Sequence, residues 1–168
     1  YAVDTETGGI EWRFETDAAA SGAPAVVDGT IYVVVSGFDD GALLYAVDAA
    51  TGKQQWTVEV GGRVTGSLTV AGGTVYIVSV KPGPDDGYGG GNDTGAVHAV
   101  DAATGEEEWT VESDRRAKGS PAVVDGTVYV GYADSGPPES GTLGAIRALD
   151  GATGDQQWVF RTAYRLGS

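Results

Sequence analysis

The stretch KPGPDDGYGGGNDTG, residues 81–95, gathers Asp85, Asp86, Asn92 and Asp93 among glycines. Carboxylate and amide oxygens on so pliable a backbone are the donors that a calcium ion takes up. Their spacing matches neither an EF-hand loop nor a repeated glycine-rich nonapeptide, so a solvated acidic loop stands beside calcium as the plainer reading. Arg115, Arg116 and Lys118 form the only basic cluster in the sequence. Such a group seats an anionic ligand or an acidic partner segment, or it answers nearby carboxylates such as Asp114 and Glu139. His98 is the single histidine, which excludes a multi-histidine metal site. There is no cysteine, hence no disulfide, thiolate ligand or cysteine nucleophile. No G-x-S-x-G element is present, and TGKQQ at 51–55 lacks the glycine spacing and the hydroxyl residue of a P-loop.

Charge narrows the partners further. Acidic residues number 24 against 10 basic ones, a net of −14. Nucleic acid and anionic membrane are repelled by such a surface, because phosphate neutralisation needs clustered Lys and Arg. No run approaches the roughly 18 apolar residues of a membrane span. An acidic, Lys-poor chain rich in Ala, Val, Thr and Gly resembles the proteins of salt-accumulating archaea, where carboxylates hold hydration and salt screens their repulsion. A halophilic archaeal source is the expectation.

Four further carboxylates, Asp4, Asp48, Asp101 and Asp150, share one context. Each sits in a copy of A-x-D-x-x-T-G-x-x-x-W, completed by Thr7, Gly8 and Trp12, by Thr51, Gly52 and Trp56, by Thr104, Gly105 and Trp109, and by Thr153, Gly154 and Trp158. An Asp that opens a turn accepts hydrogen bonds from backbone N–H groups two or three residues on, and Gly supplies the left-handed reversal. The motif therefore reads as a joint: its Asp residues are turn residues and its Trp residues are packing elements.

The spacing around the motif says what elements hold it. From each of Trp12, Trp56 and Trp109 to Tyr32, Tyr76 and Tyr129 is 20 residues. From Tyr1, Tyr45, His98 and Arg147 to the motif Trp is 11. Only the Tyr32–Tyr45, Tyr76–His98 and Tyr129–Arg147 segments vary, at 13, 22 and 18. PAVVDGTVYVGY (121–132) reads as a hairpin around Asp-Gly, AIRALD as a third strand and EEWTVE as a fourth. Four antiparallel strands per repeat, with no helical periodicity, predict an all-β chain of β-propeller blades. His98 shares its slot with Tyr1, Tyr45 and Arg147, which predicts a strand surface position.

These residues resemble the PQQ-type propeller repeat, and the eleven-residue element is similar to that family's tryptophan-docking motif. The resemblance implies that each Trp packs between neighbouring blades while the Asp–Thr–Gly turn holds the outer hairpin. It also implies two functional branches. One comprises quinoprotein dehydrogenases with PQQ and calcium over the propeller centre, commonly beside a cysteine pair that this chain lacks. The other comprises non-enzymatic propellers, including the scaffold subunit of the bacterial outer-membrane barrel-assembly machinery.

The expected organisation is one propeller segment over 1–168. It holds a half-blade of the third and fourth strands at 1–17, blades at 18–60, 61–113 and 114–162, and the start of a connection at 163–168. Closure takes about four to eight blades. The chain is thus expected to be a piece of a longer protein, or to complete a ring with copies of itself. All length variation falls on one face, which carries loops 36–42, 81–95, 113–119 and 133–141, and binding is expected there. The favoured function is a non-catalytic scaffold or protein-recognition module of a surface or extracytoplasmic protein, with no cofactor. The alternatives are a fragment of a PQQ- and calcium-dependent dehydrogenase, and a self-assembling unit that closes through its open edges.

Overall fold

The computed structural model describes residues 1–37, 41–64, 66–83, 93–133 and 143–163. They form antiparallel sheets and no helix. A two-stranded sheet pairs β1 (Ala2–Val3) with β2 (Ile10–Trp12). The first full blade has the order β3 (Ala20–Val27), β4 (Thr30–Ser36), β5 (Gly41–Asp48), β6 (Gln54–Gly61). In the second, the innermost strand is split into β7 (Arg63–Val64) and β8 (Thr69–Ala71), both pairing β9 (Thr74–Lys81). β10 (Thr94–Asp101) and β11 (Glu107–Ser113) complete it. The third runs β12 (Arg116–Val124), β13 (Thr127–Ala133), β14 (Leu143–Asp150), β15 (Gln156–Ala163). These are the blades of an all-β propeller.

Local chemistry sets each sheet. The inner hairpins turn at Asp28-Gly29, Gly72-Gly73 and Asp125-Gly126, and all six residues have positive φ. Two successive left-handed residues match the twist of the flanking strands, which is why Asp and Gly stand there. The outer hairpins turn on the motif. Asp101 Oδ1 accepts from the Thr104 N–H at 2.7 Å, the Thr104 hydroxyl at 2.8 Å and the Ala103 N–H at 3.0 Å. The Gly105 N–H then closes on the Asp101 carbonyl at 2.9 Å. In every copy the register shifts just past the motif Ala, so that Ala46 faces Trp56 while Val47 faces Gln54. The extra residue is a bulge that aims the Trp out of its own sheet.

That Trp lands on the next blade. Trp56 Nε1 donates to the Ala102 carbonyl at 3.2 Å, and the Tyr32 hydroxyl donates to the same oxygen at 3.0 Å. Trp109 and Tyr76 repeat the arrangement on the Gly151 carbonyl, at 2.9 and 3.1 Å. Trp12 reaches the Ala49 carbonyl at 3.0 Å. Beneath each ring lies the motif glycine of the blade it meets. A Cβ on Gly105 would stand 2.7 Å from the Trp56 ring, and one on Gly52 would stand 2.6 Å from Trp12. Around these joints two apolar cores close. Val34, Leu44 and Ala46 pack against Val75, Ile77 and Val100 in one, and Val78, Val97 and Ala99 against Val128, Val130 and Leu149 in the other.

A second ladder runs along the innermost strands. The Ala23 N–H donates to Ser67 Oγ and the Ser67 N–H to Ser120 Oγ, both at 2.9 Å. The backbones approach so closely that a Cβ on Gly66 would stand 2.5 Å from the Gly119 carbonyl oxygen.

The joint and the turn can be separated by experiment. Gly8 and Gly105 share the left-handed conformation, at φ of 71° and 77°, but Gly8 has no neighbour within 4 Å of a Cβ. G8A is expected to cost only the conformational penalty, about 1–2 kcal/mol. G105A adds a clash with Trp56, for a total of about 2–5 kcal/mol. Denaturant unfolding of the two variants measures the difference.

Candidate functional site

Strand register places the strand ends that lead into the variable segments on one face. In the first blade Ser36 pairs with Ala42 and Gly41 with Gly61 at one end, while Thr30 pairs with Asp48 at the other. Connections between the second and third strands, and between blades, therefore leave from one face, and the tight turns occupy the opposite one. The motif residues Asp4, Asp48, Asp101 and Asp150, with Thr7, Thr51, Thr104 and Thr153, all lie in those turns. The threonine hydroxyl bonds, followed by backbone N–H bonds, hold the Asp4, Asp48 and Asp101 carboxyls below the ordinary aspartate range. Their charge is spent within the turn.

On the variable face a cleft of about 250 Å³ opens between the first and second blades, lined by Gly41, Glu59, Gly61, Lys81, His98 and Glu112 among others. His98 is buried, contrary to the surface position its slot predicts. The reason is tertiary: this slot on the third strand faces the preceding blade. For Tyr45 the preceding sheet is only two strands wide and leaves the ring half-buried against Phe14, whereas His98 faces a complete blade. Arg147, in the same slot, lies over the Tyr132 ring at 4.6 Å and 4.0 Å from Asp114.

The hydrogen bonds of His98 form a directional chain. The Thr110 hydroxyl donates to Glu107 Oε2 at 2.8 Å, so its oxygen accepts from Nδ1–H at 2.9 Å. Nε2 is then free to accept the Ser79 hydroxyl, also at 2.9 Å. Burial pushes the His98 pKa below its ordinary value, and the nearby Glu107 opposes that shift only in part. This order of serine, histidine and carboxylate matches a nucleophile with its base. Yet Ser79 is buried, and a Cβ on Gly62 would stand 3.2 Å from its Oγ. Its Oγ is held by His98 on the wall of the cleft, and the hydrogen-bonded chain ties β9, β10 and β11 of the second blade together.

Of the calcium candidates, Asp93 lies within the described residues, and Asp85, Asp86 and Asn92 lie outside them. Asp93 accepts from the Gly83 N–H at 3.1 Å and lies 3.6 Å from Arg116 Nη1. Among the described residues no three His, Asp or Glu side chains gather as a metal site. Of the basic cluster, Arg116 meets Asp93, Lys118 is exposed on β12, and the Arg115 N–H donates to Ser113 Oγ at 3.2 Å. Glu139 and residues 164–168 lie outside the described residues. Two features escaped sequence reading. One is the sharing of a carbonyl by Tyr and Trp, whose signal was the constant spacing between them. The other is the glycine-serine ladder, whose signal was the recurrence of Gly22, Gly66 and Gly119 ten residues after each Trp.

Comparison with known proteins places this geometry. A family model described as outer membrane protein assembly factor BamB matches residues 1–89 and 40–165. No curated protein matches the sequence. Among solved structures, BamB from Moraxella catarrhalis is 22% identical with a TM-score of 0.65, over 91% of this chain and 40% of that one. The quinohemoprotein alcohol dehydrogenase of Pseudomonas putida HK5 is 26% identical with a TM-score of 0.64, over 90% of this chain and 22% of that one. That of Comamonas testosteroni is 26% identical with a TM-score of 0.62, over 86% and 21%. The chain thus spans well under half the length of these structures.

His98 gives the site a pH signature. Its pKa is depressed in the folded state, so the unfolded chain binds the extra proton first. Stability is complete above about pH 6.5 and declines as pH falls towards the depressed value, then levels off. H98Q keeps an amide for Ser79 and Thr110 but does not titrate. Its urea midpoint is expected to stay flatter than wild type between about pH 7.5 and 5, above the range where the turn aspartates protonate.

Proposed function

The chain belongs to the BamB-type repeat family, and on that premise we propose that it is a non-catalytic propeller module that binds a protein partner through its variable loop face. One observation carries the reading. The motif residues are consumed by turns and inter-blade joints, whereas the segments of unequal length emerge together on one face beside the His98 cleft, Arg116 and Lys118. A rigid scaffold that frees its loops is the arrangement of a recognition surface. The family's name supports a protein-assembly role in an extracytoplasmic setting. A saline environment agrees with the net charge of −14. No helix among the described residues is long and apolar enough to cross a membrane.

The identity to quinohemoprotein alcohol dehydrogenases favours a second reading, a segment of a PQQ- and calcium-dependent enzyme. The described residues bring no calcium ligand set together. They assemble no cluster of three metal ligands, and Asp93 already serves the Gly83 N–H and Arg116.

Two measurements separate the readings. A photoreactive side chain at Lys118, on the variable face, is expected to give one dominant protein adduct in extract of the source cells. The same group at Asp125, on the turn face, is expected to give none; equal adducts at both positions would overturn the assignment of the face. Saturable uptake of PQQ with calcium, coupled to dye-linked alcohol oxidation, would overturn the non-catalytic reading.

A further inference from the structure

We propose that the slot between the second and third blades binds a carboxylate through the Arg147 guanidinium and the Tyr132 hydroxyl, and that a protein partner supplies it from an aspartate or glutamate side chain. The partner half rests on the reading of the variable face as a recognition surface. Every group in the slot comes from two complete blades or the connection between them.

A buried donor has nothing to donate to. Tyr132, on β13, is 3% exposed and belongs to the apolar core that holds Val78 and Val97 of the second blade. Its hydroxyl is buried and has no hydrogen-bond partner. Native interiors leave few such groups, and each calls for an explanation.

The preceding boundary shows what is missing. Ser79 and Tyr132 hold equivalent positions, three residues after Tyr76 and Tyr129, as His98 and Arg147 do on the next strand. The Ser79 hydroxyl donates to His98, and the series runs on through Thr110 to the Glu107 carboxylate. Donors and acceptors alternate until a negative charge ends them. In the third blade Val159 replaces Thr110, so the series is broken. The Arg147 guanidinium lies over the Tyr132 ring, 4.6 Å from its centroid. Arginine carries five N–H donors and no acceptor. It can serve the phenolic oxygen, but it cannot take the phenolic proton.

The surrounding charge is positive as well. Ala145 pairs with Tyr132 on one side and with Arg161 on the other, so Arg161 shares their face. The equivalent residue of the second blade is Glu112, opposite Ala96. Two positions that read His98 and Glu112 at one boundary thus read Arg147 and Arg161 at the next. Among the described residues the carboxylate nearest Arg147 is that of Asp114, 4.0 Å from Nη2 and 87% exposed, which is beyond hydrogen-bond reach. The Arg147 side chain keeps 19% of its surface open, so a guest can meet it from solvent.

The guest must bring acceptors and a negative charge. A carboxylate brings both: its oxygens accept the Tyr132 proton and match the guanidinium fork. A phosphate dianion is the poorer guest for a chain of net charge −14. The slot also adjoins the recognition face, since Gly131, next to Tyr132, pairs with Lys118.

Propionate, the analogue of a glutamate side chain, is the probe, exchanged for chloride at constant ionic strength. The backbone amide resonances of Gly131 and Ala133, which flank Tyr132, report binding in every variant. Saturable shifts are expected with propionate and none with propionamide. Y132F keeps the ring and is expected to weaken propionate about 3- to 10-fold. Its urea midpoint without propionate is expected to equal or exceed wild type, because the lost hydroxyl had no partner; a hydroxyl with a structural role would lower it. R147Q is expected to weaken propionate about 10-fold or more, and R161Q about 2- to 5-fold. R147Q is also expected to cut the protein adduct formed from Lys118 by about 5-fold or more. An adduct undiminished in R147Q would overturn the partner's carboxylate and leave the recognition face standing, whereas equal adducts at Lys118 and Asp125 would overturn the face itself. The site is overturned if propionate gives no saturable shift, if propionamide matches it, or if Y132F binds as wild type does.

Discussion

One backbone oxygen at each blade boundary holds this architecture together. The Ala102 carbonyl receives a tryptophan N–H and a tyrosine hydroxyl from the preceding blade, and the Gly151 carbonyl does the same one blade on. Both lone pairs of that oxygen are satisfied by side chains that bring large apolar surfaces with them. The rest follows from this geometry. The ring can reach the carbonyl only if the motif residue beneath it is glycine, and the turn can present the carbonyl only if Asp and Thr hold it. A bulge in the outer hairpin is what aims the tryptophan across the gap. Four residue types at fixed spacing are thus one mechanical part.

A part so constrained leaves little room for specialised chemistry within itself. The motif carboxylates are acceptors for their own turns, and the histidine at the first blade boundary is locked between Ser79 and Thr110. Its neutral state follows from burial. The inner strands are constrained in another way: their glycines let adjacent backbones touch, and Ser67 and Ser120 take the N–H groups that crowding would otherwise strand. Freedom survives at the ends of the strands opposite the tight turns. There the His98 cleft and the Asp93–Arg116 pair lie, and there chain length changes from blade to blade.

The same economy explains how the scaffold is built. Its joints are local and repeat with one partner geometry, so each blade needs only its neighbours.

Much of this was legible in the residues. The constant spacings of Trp, Tyr and motif revealed the blade, and the Asp-Gly pairs marked the inner hairpins, because turn chemistry and strand alternation are short-range and leave a pattern in order along the chain. The candidate site was legible only as a face, since unequal loops announce where change is tolerated. Which groups meet on it was not. His98 occupies the same slot as Tyr45 and Arg147, and nothing nearby in the chain says that a whole blade covers it. Asp93 and Arg116 stand on different blades and meet only once those blades are side by side. The sequence by itself determined the repeat, the turns and the face that varies. Tertiary structure alone decided burial, the shared carbonyls and the pairing of charges, because each depends on distances between blades that no local pattern encodes.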